Sequence, residues 1–423
     1  MTGKGRDTEV REELRILTFS TLYPNATMPQ HGIFVEQRLR QLLSRCRIRS
    51  RVVAPVPWFP LRSSFFGAYA AFAAVPKSEC RHDVPILHPR YPLLPKFGMS
   101  SAPLLMASAA YRTMKACLQD SIGFDLIDAH YFYPDGVAAA LLGQWLGKPV
   151  TITARGTDVN LIPEYRVPRK WMLWAAKRCS KIITVSNSLK EKLTEIGVAA
   201  DMIETLRNGV DLEFFRPRPD REKLRSELRM TCPTLLSVGN LIELKGHHVV
   251  IEALATLPGV NLVIVGGGPM KDDLARLAQR HDVQQRVTFA GVLTQQELVK
   301  YYCSADALVL ASSREGMANV LLEALACGTP VAATPYGGNP EVVADRRAGI
   351  LTASRTPDAV AEAVRSLLES PPDRAAVRGY AETFDWARTS DGQFRIFRDA
   401  AAWAAESRDL GGRRHRASAD EGD

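Results

Sequence analysis

Short apolar runs rich in β-branched residues alternate with longer amphipathic stretches along most of the chain. LRILTFS from Leu14, IRSRVVA from Ile48, DLIDAH from Asp125, PVTITA from Pro149 and KIITVS from Lys181 each have the length and composition of a buried strand, and the segments between them carry helical spacing. Strands apolar along their whole length and separated by crossover helices predict a parallel sheet covered on both faces. The rhythm pauses after Asp211 at the Pro-broken FFRPRPD. It starts again with TLLSVG from Thr234, NLVIVGG from Asn261, RVTFAG from Arg286, DALVLAS from Asp306 and PVAAT from Pro330. The pattern thus predicts an α/β protein of two Rossmann-like, doubly wound parallel-sheet domains facing a central cleft. The first occupies residues 1–213 and the second residues 214–385, with Phe214 to Asp220 as linker. Residues 386–408 form a helix packing back toward the first domain, and the charged, Gly-containing residues 409–423 form a disordered tail.

Open parallel sheets bind ligands beyond the carboxyl ends of their strands, where glycine turns lead into helix N-termini. The chemistry is therefore expected in the strand-to-helix loops of both halves. One interval, Pro55 to about Met99, breaks the rhythm and is rich in Pro, aromatic and basic residues. It reads as a partly structured excursion from the first domain. Trp58, Phe59, Phe65, Phe66, Tyr69 and Phe72 stand near Arg62, and Arg90, Tyr91, Lys96 and Phe97 follow. Rings beside cations suit peripheral contact with an anionic membrane surface; packing of the same rings onto the first domain is the alternative.

Composition narrows the class. With 423 residues, 46% hydrophobic and 24% charged, the chain can bury two cores. Its seven cysteines include no C-x-x-C pair, so neither a disulfide framework nor a zinc cluster is spelled out. The polar opening MTGKGRDTEVREELR and the lack of a run of ~20 apolar residues point to a cytoplasmic protein, with the inner membrane face as a place of peripheral contact. The net charge of +8 suits anionic partners, but the basic residues are scattered and no nucleic-acid motif occurs.

The most informative segment runs from Ser313 to Thr334, SREGMANVLLEALACGTPVAAT. Glu315 falls in a loop and Glu323 in the following helix, with seven residues between them. Asn319 reads as the helix N-cap, and Glu323 follows one turn along on the same face. Free amides at such a helix start suit a diphosphate, and both carboxylates can accept hydrogen bonds from sugar or ribose hydroxyls. Glu323 sits in NVLLEALA, among neighbours that look buried, so its carboxylate needs a partner.

The E-x7-E spacing, the following ACGTPVAATPYGGNPEVV, the upstream VGNLIELKGHHVVIEALA and IVGGGP, and also RNGVD, TVSNSLK and GIFVEQRLRQL together resemble the GT-B glycosyltransferases of family 4. The resemblance covers nearly the whole chain. It implies a retaining transferase using a nucleotide-sugar donor and no metal, the donor on the second domain and a glycan or lipid-linked acceptor on the first. By that resemblance Glu323 holds ribose hydroxyls and Glu315 contacts the donor sugar. Gly316, Met317, Ala318 and Asn319 lie along the diphosphate, and Lys245 neutralises the leaving phosphate. A cation beside a departing diphosphate stabilises charge that grows in the transition state. Gly239 and Gly266 end strands near the donor. Gly32 lets backbone approach the donor phosphates, or is an ordinary helix-entry glycine.

Two positions depart from the family pattern. Asn240 stands where a second basic residue is usual. Arg155, in ARGTDVN, stands where many relatives carry histidine. An arginine is no general base but can clamp a phosphate or carboxylate. Either His130 takes over the histidine's role, or Arg155 reads an anionic group on donor or acceptor. His130 and Asp135, in DAHYFYPDGVAAA, are acceptor-side candidates, His130 alternatively being a satisfied structural histidine. Asp158 orients Arg155, binds a hydroxyl or caps a helix. Asn208 and Gly209 read as a structural turn at the domain seam. No D-x-D pair in the folded region offers a metal site, so no cofactor is expected.

Three rivals remain. An NAD-dependent oxidoreductase is suggested by VGGGPMKDDL, but Lys271 occupies the third glycine of a dinucleotide fingerprint. A nucleotide-sugar 2-epimerase shares the cleft but needs no acceptor. A non-catalytic sugar-binding subunit is disfavoured by the joint presence of Glu315, Glu323 and Lys245.

Overall fold

The computed structural model describes residues 13–59, 68–92 and 98–420. Its first domain holds β1 (Leu14–Phe19), β2 (Ile48–Val53), β3 (Val56–Pro57), β4 (Ser78–Arg81), β5 (Val84–Leu87), β6 (Arg90–Tyr91), β7 (Leu126–His130), β8 (Val150–Ala154), β9 (Lys181–Thr184) and β10 (Ile203–Thr205). Eight of these form a sheet in the order β10-β9-β8-β7-β1-β2-β5-β4, parallel throughout except for β4 against β5. The second domain holds β11 (Thr234–Val238), β12 (Asn261–Val265), β13 (Val287–Gly291), β14 (Ala307–Leu310), β15 (Val331–Ala333) and β16 (Gly349–Leu351), all parallel in the order β13-β12-β11-β14-β15-β16. Strands β7, β8, β11 and β14 are buried at every residue, as helices on both faces require.

Strand order reverses between β1 and β7 in the first sheet and between β11 and β14 in the second. The crevices at such switch points are where open α/β sheets bind ligands. Here they are built by the residues following Phe19, His130, Val238 and Leu310.

The chain passes between domains twice, and the two crossings run side by side. Val210 pairs with Asp385, its amide donating to the Phe384 carbonyl at 3.0 Å. A Cβ at Gly209 would stand 2.7 Å from the Trp386 ring, so only glycine lets the strands approach this closely. Helix Trp386–Asp420 then returns to the first domain, where Ile396 and Phe397 join Ile16, Leu42, Val52 and Ile86 in one core. This helix continues to Asp420, past the end at 408 and through the segment read as a disordered tail. Arg, Ala and Leu are good helix formers and no proline interrupts them, which outweighs the two glycines.

The excursion after Pro55 is organised by β3 pairing with β6 and by helix Ala68–Ala74. Arg90 donates to the Phe72 carbonyl at 2.6 Å and to that of Val75, and Tyr91 is buried. These two residues therefore pack inward, whereas Trp58 is 57% exposed. Arg62, Phe65, Phe66, Lys96 and Phe97 lie outside the described residues. Among the described residues no helix is long and apolar enough to cross a membrane.

Candidate active site

On the second domain β11 ends at Gly239, whose backbone lies in a region open only to glycine. A 3-10 turn, Glu243–Lys245, follows, and Gly246 closes it in the left-handed conformation directly against the Ala311 carbonyl. Arg355 fastens this turn, donating to the carbonyls of Ala311 (2.9 Å) and Glu243 (2.8 Å). The Lys245 side chain crosses Gly239 and its Nζ lies 2.6 Å from Glu315 Oε1, which also accepts from Ser312 Oγ at 2.7 Å. Gly266 passes so close to the Gly239 carbonyl that any side chain there would overlap it. Asn240 is exposed beside this turn.

Residues Gly316, Met317 and Ala318 lead into helix Asn319–Ala326. The helix begins one residue earlier than expected: Ala318 is the N-cap, and Asn319 makes no cap bond. The Asn319 Oδ1 instead accepts from Asn208 Nδ2 at 2.9 Å, across the domain seam. Asn319 and Glu323 both line an interdomain cavity of about 710 Å³, together with Phe214, Phe215, Thr294 and Trp386. Glu323 Oε2 accepts from the Tyr302 hydroxyl at 2.8 Å. Burial pushes the Glu323 carboxyl up to about 7, the Tyr302 hydrogen bond opposing the rise. Lys245 and Glu315 are not part of that cavity's wall.

At the seam the backbones of the two domains touch. A side chain on Gly316 would overlap the Arg155 carbonyl, and one on Gly338 would overlap the Gly316 carbonyl. A Cβ on Gly156 would stand 3.0 Å from the Gly316 nitrogen. Asn160 Nδ2 donates to the Glu315 carbonyl at 3.1 Å. Glu341 of the second domain accepts from the Asn187 amide (2.6 Å) and pairs with Arg207 (2.9 Å) of the first.

Two family models match, Glycosyltransferase Family 4 over residues 71–214 and Glycosyl transferases group 1 over residues 220–384. Similar proteins include the "Putative teichuronic acid biosynthesis glycosyltransferase TuaC" of Bacillus subtilis, 29% identical over 83% of this chain and 88% of that protein. The "Glycogen synthase" of Mycobacterium tuberculosis strain H37Rv is 34% identical over 69% and 73%. Anabaena Alr3699/HepE, solved in complex with UDP and glucose, superposes with a TM-score of 0.70 over 92% of this chain and all of that one, at 20% identity. The chain belongs to the family 4 glycosyltransferases. It is an enzyme of GT-B fold.

On its first domain the glycosyltransferase spends its charged side chains internally. Arg155 Nη2 donates to His130 Nδ1 at 2.6 Å and Nη1 to Asn208 Oδ1 at 3.3 Å, the guanidinium lying 5.2 Å from the Phe34 ring centre. His130 then carries its proton on Nε2 and gives it to Asp128 Oδ2 at 2.9 Å. Arg38 completes the network, bonded to Gln393 and to Asn208. Burial lowers both the His130 ring, to about 4, and the Arg155 guanidinium, which the nearby Arg38 lowers further. His130 and Arg155, raised as alternatives, are thus direct hydrogen-bond partners. His130 has both nitrogens occupied, and Arg155 donates to His130 and Asn208 while its Nε is buried without a hydrogen-bond partner.

The Asp158 and Asp135 carboxylates, expected on the acceptor side, are likewise held by backbone amides. Asp158 accepts from the amides of Phe132 (2.6 Å), Gly156 (2.6 Å) and Arg155 (3.1 Å), fixing the turn after β8. Asp135 is fully buried and accepts from the Thr21 amide and, at 3.1 Å, the Thr21 hydroxyl. Its carboxyl is pushed up to about 7 by burial. Gly32, at φ 67°, packs its Cα against the Leu22 carbonyl, so the loop from Thr21 itself demands glycine there. Residues the sequence left out are Tyr302, Ser312, Arg38 and Asp128; Asn208, read as a turn, is the hub between domains. Arg38, Asp128, Ser312 and Asn208 sat in quoted motifs without a role assigned to them in the site, and Tyr302 lay outside every quoted motif.

Proposed function

We propose that the enzyme moves a sugar from a nucleotide diphosphate donor, with retention at the anomeric carbon and without a metal. The acceptor is a glycan or lipid-linked molecule in cell-surface polysaccharide synthesis. The observation that carries this reading is the 2.6 Å pair of Lys245 and Glu315 beside the helix that bears Glu323. These are the groups expected to meet the leaving phosphate, the donor sugar and the ribose. As the glycosidic bond to the diphosphate breaks, its electron pair passes to the phosphate oxygen, where the Lys245 ammonium offsets the new charge. The acceptor hydroxyl attacks from the same face and its proton goes to that oxygen, so no protein base is needed. The occupied nitrogens of His130 fit a path without one. Nucleotide-sugar use is supported by the UDP in the Anabaena neighbour and the cell-surface role by the teichuronic acid relative. The exposed Trp58 supports peripheral contact with a membrane surface, in this reading the inner face.

Thermal-shift screening against nucleotide sugars identifies the donor, because a tight ligand raises the melting temperature. Transfer with that donor gives a product whose anomeric configuration, read by NMR, matches the donor's, and EDTA leaves the rate unchanged. Inversion, or a loss in EDTA repaired by manganese, refutes the respective half of the mechanism. Sedimentation with anionic vesicles at low salt checks membrane contact, which Trp58→Ser weakens.

A further inference from the structure

Glu323 enters the donor reading as a carboxylate that accepts ribose hydroxyls, yet it lies in a helix whose neighbours Leu321, Leu322, Ala324 and Leu325 are fully buried. A carboxylate so placed needs something to fix which oxygen it offers and to keep it charged. The side chain that meets it comes from a separate helix, Gln295–Ser304. Tyr302 is 0% exposed, and its hydroxyl donates to Glu323 Oε2 at 2.8 Å. Among the described residues no donor reaches Oε1, the other oxygen of the side chain lining the interdomain cavity.

Tyr302 is itself fixed from two sides. Its carbonyl accepts from the Thr329 hydroxyl. Its ring meets Phe215 edge-on, centroids 6.2 Å apart, and Phe215 belongs to the crossing between domains. Arg378 Nη1 donates both to the Phe215 carbonyl (2.7 Å) and to the Ala326 carbonyl at the end of the Glu323 helix (2.8 Å). Crossing, tyrosine and helix are thereby one packed unit, so the direction of the Glu323 carboxylate is set by contacts outside its own helix.

We propose that Tyr302 is a positioning residue for donor binding: by holding Oε2 of Glu323 it presents Oε1 to the ribose hydroxyls of the nucleotide. This rests on the reading of Glu323 as the ribose contact. It also makes nucleotide affinity depend on pH, since only the ionised carboxylate accepts from both hydroxyls. Burial holds Glu323 near 7, and the Tyr302 hydrogen bond favours its charged form. Cys327 faces it from the end of its own helix, and Arg40, Arg81, His82, Glu36 and Asp211 line the cavity from the first domain and the crossing. Affinity therefore rises as pH increases through about 7, and removal of the hydroxyl moves that midpoint upward.

Calorimetry on the full chain with UDP, GDP or ADP, whichever binds tightest, against its 2′,3′-dideoxy counterpart tests this. Tyr302→Phe keeps the ring on Phe215 and its melting temperature checks the fold. The expected result is about tenfold weaker nucleotide binding at pH 7, an upward-shifted midpoint and little change for the dideoxy compound. Glu323→Gln abolishes the discrimination between the two ligands, and adding Tyr302→Phe to it changes nothing further. Wild-type affinity of Tyr302→Phe at every pH, with Glu323→Gln impaired, overturns the role of Tyr302 alone. Additive losses in the double variant do the same. Full discrimination retained in Glu323→Gln overturns the ribose reading of Glu323, and the inference with it.

Discussion

The two domains are built on one rhythm of strand and helix, yet they use charge in opposite ways. On the second domain the turn that carries Lys245 is fixed by Gly246 and Arg355, and the Ser312 hydroxyl holds the Glu315 carboxylate, leaving the ionic groups partly open. On the first domain Arg155, His130, Asp128 and Arg38 form a buried chain of hydrogen bonds with Asn208 and Gln393, in which Arg155 Nε and Arg38 Nη2 are left without a partner. What distinguishes the two cases is exposure: the Lys245 and Glu315 side chains stay 23% and 10% exposed, whereas the first-domain chain is buried.

The sharpest way to break this comparison is Lys245→Ala. If the open cluster does the chemistry, turnover falls by about 10² to 10³ with the melting temperature nearly unchanged, because one cation aimed at the leaving group is lost. A change confined to the Michaelis constant would remove Lys245 from the leaving-group role. Gly316→Ala comes next. The added methyl has no room beneath the Arg155 carbonyl, so the domains must part. A shift of ~1 Å at the reacting groups costs about 10²-fold in rate. Small-angle scattering should show a more open molecule with unaltered circular dichroism; full activity would mean that the seam is not the working arrangement.

Arg155→Ala addresses the buried cluster. It strips His130 Nδ1 and Asn208 Oδ1 of a donor and should lower unfolding free energy by about 3 kcal/mol in urea, as the loss of one member of a buried charged network does. Activity falls too, through Asn208 and its bond to Asn319. Histidine at 155 lacks the forked donors and should restore neither quantity. Unchanged stability with lost activity would return Arg155 to the substrate.

Asp135→Asn gives the smallest effect. A carboxyl held near 7 in the folded chain binds its proton more tightly there than when unfolded, where the ordinary value is about 4. Its stabilising contribution is complete below about pH 4 and is lost as pH rises through about 7. The difference in melting temperature between variant and wild type should therefore move in the variant's favour from pH 4 to pH 8. A constant difference would mean that Asp135 stays ionised throughout.

The sequence by itself determined the strands, the two sheets and the order of motifs, because a strand buried on both faces must be written as a continuous apolar run and the period changes where a helix begins. It also determined Glu315 and Glu323 as candidates, since they flank a loop and helix start, and Lys245 through the family resemblance. Partners far along the chain were decided only by tertiary structure: Tyr302 meets Glu323 from another helix, Arg38 meets Gln393 from the terminal one, and Asn208 joins Arg155 to Asn319. So was the N-cap at Ala318 rather than Asn319, whose side chain the other domain had claimed. Local spacing fixes what a residue can reach along its own element, whereas burial and the choice of hydrogen-bond partner depend on which elements pack together.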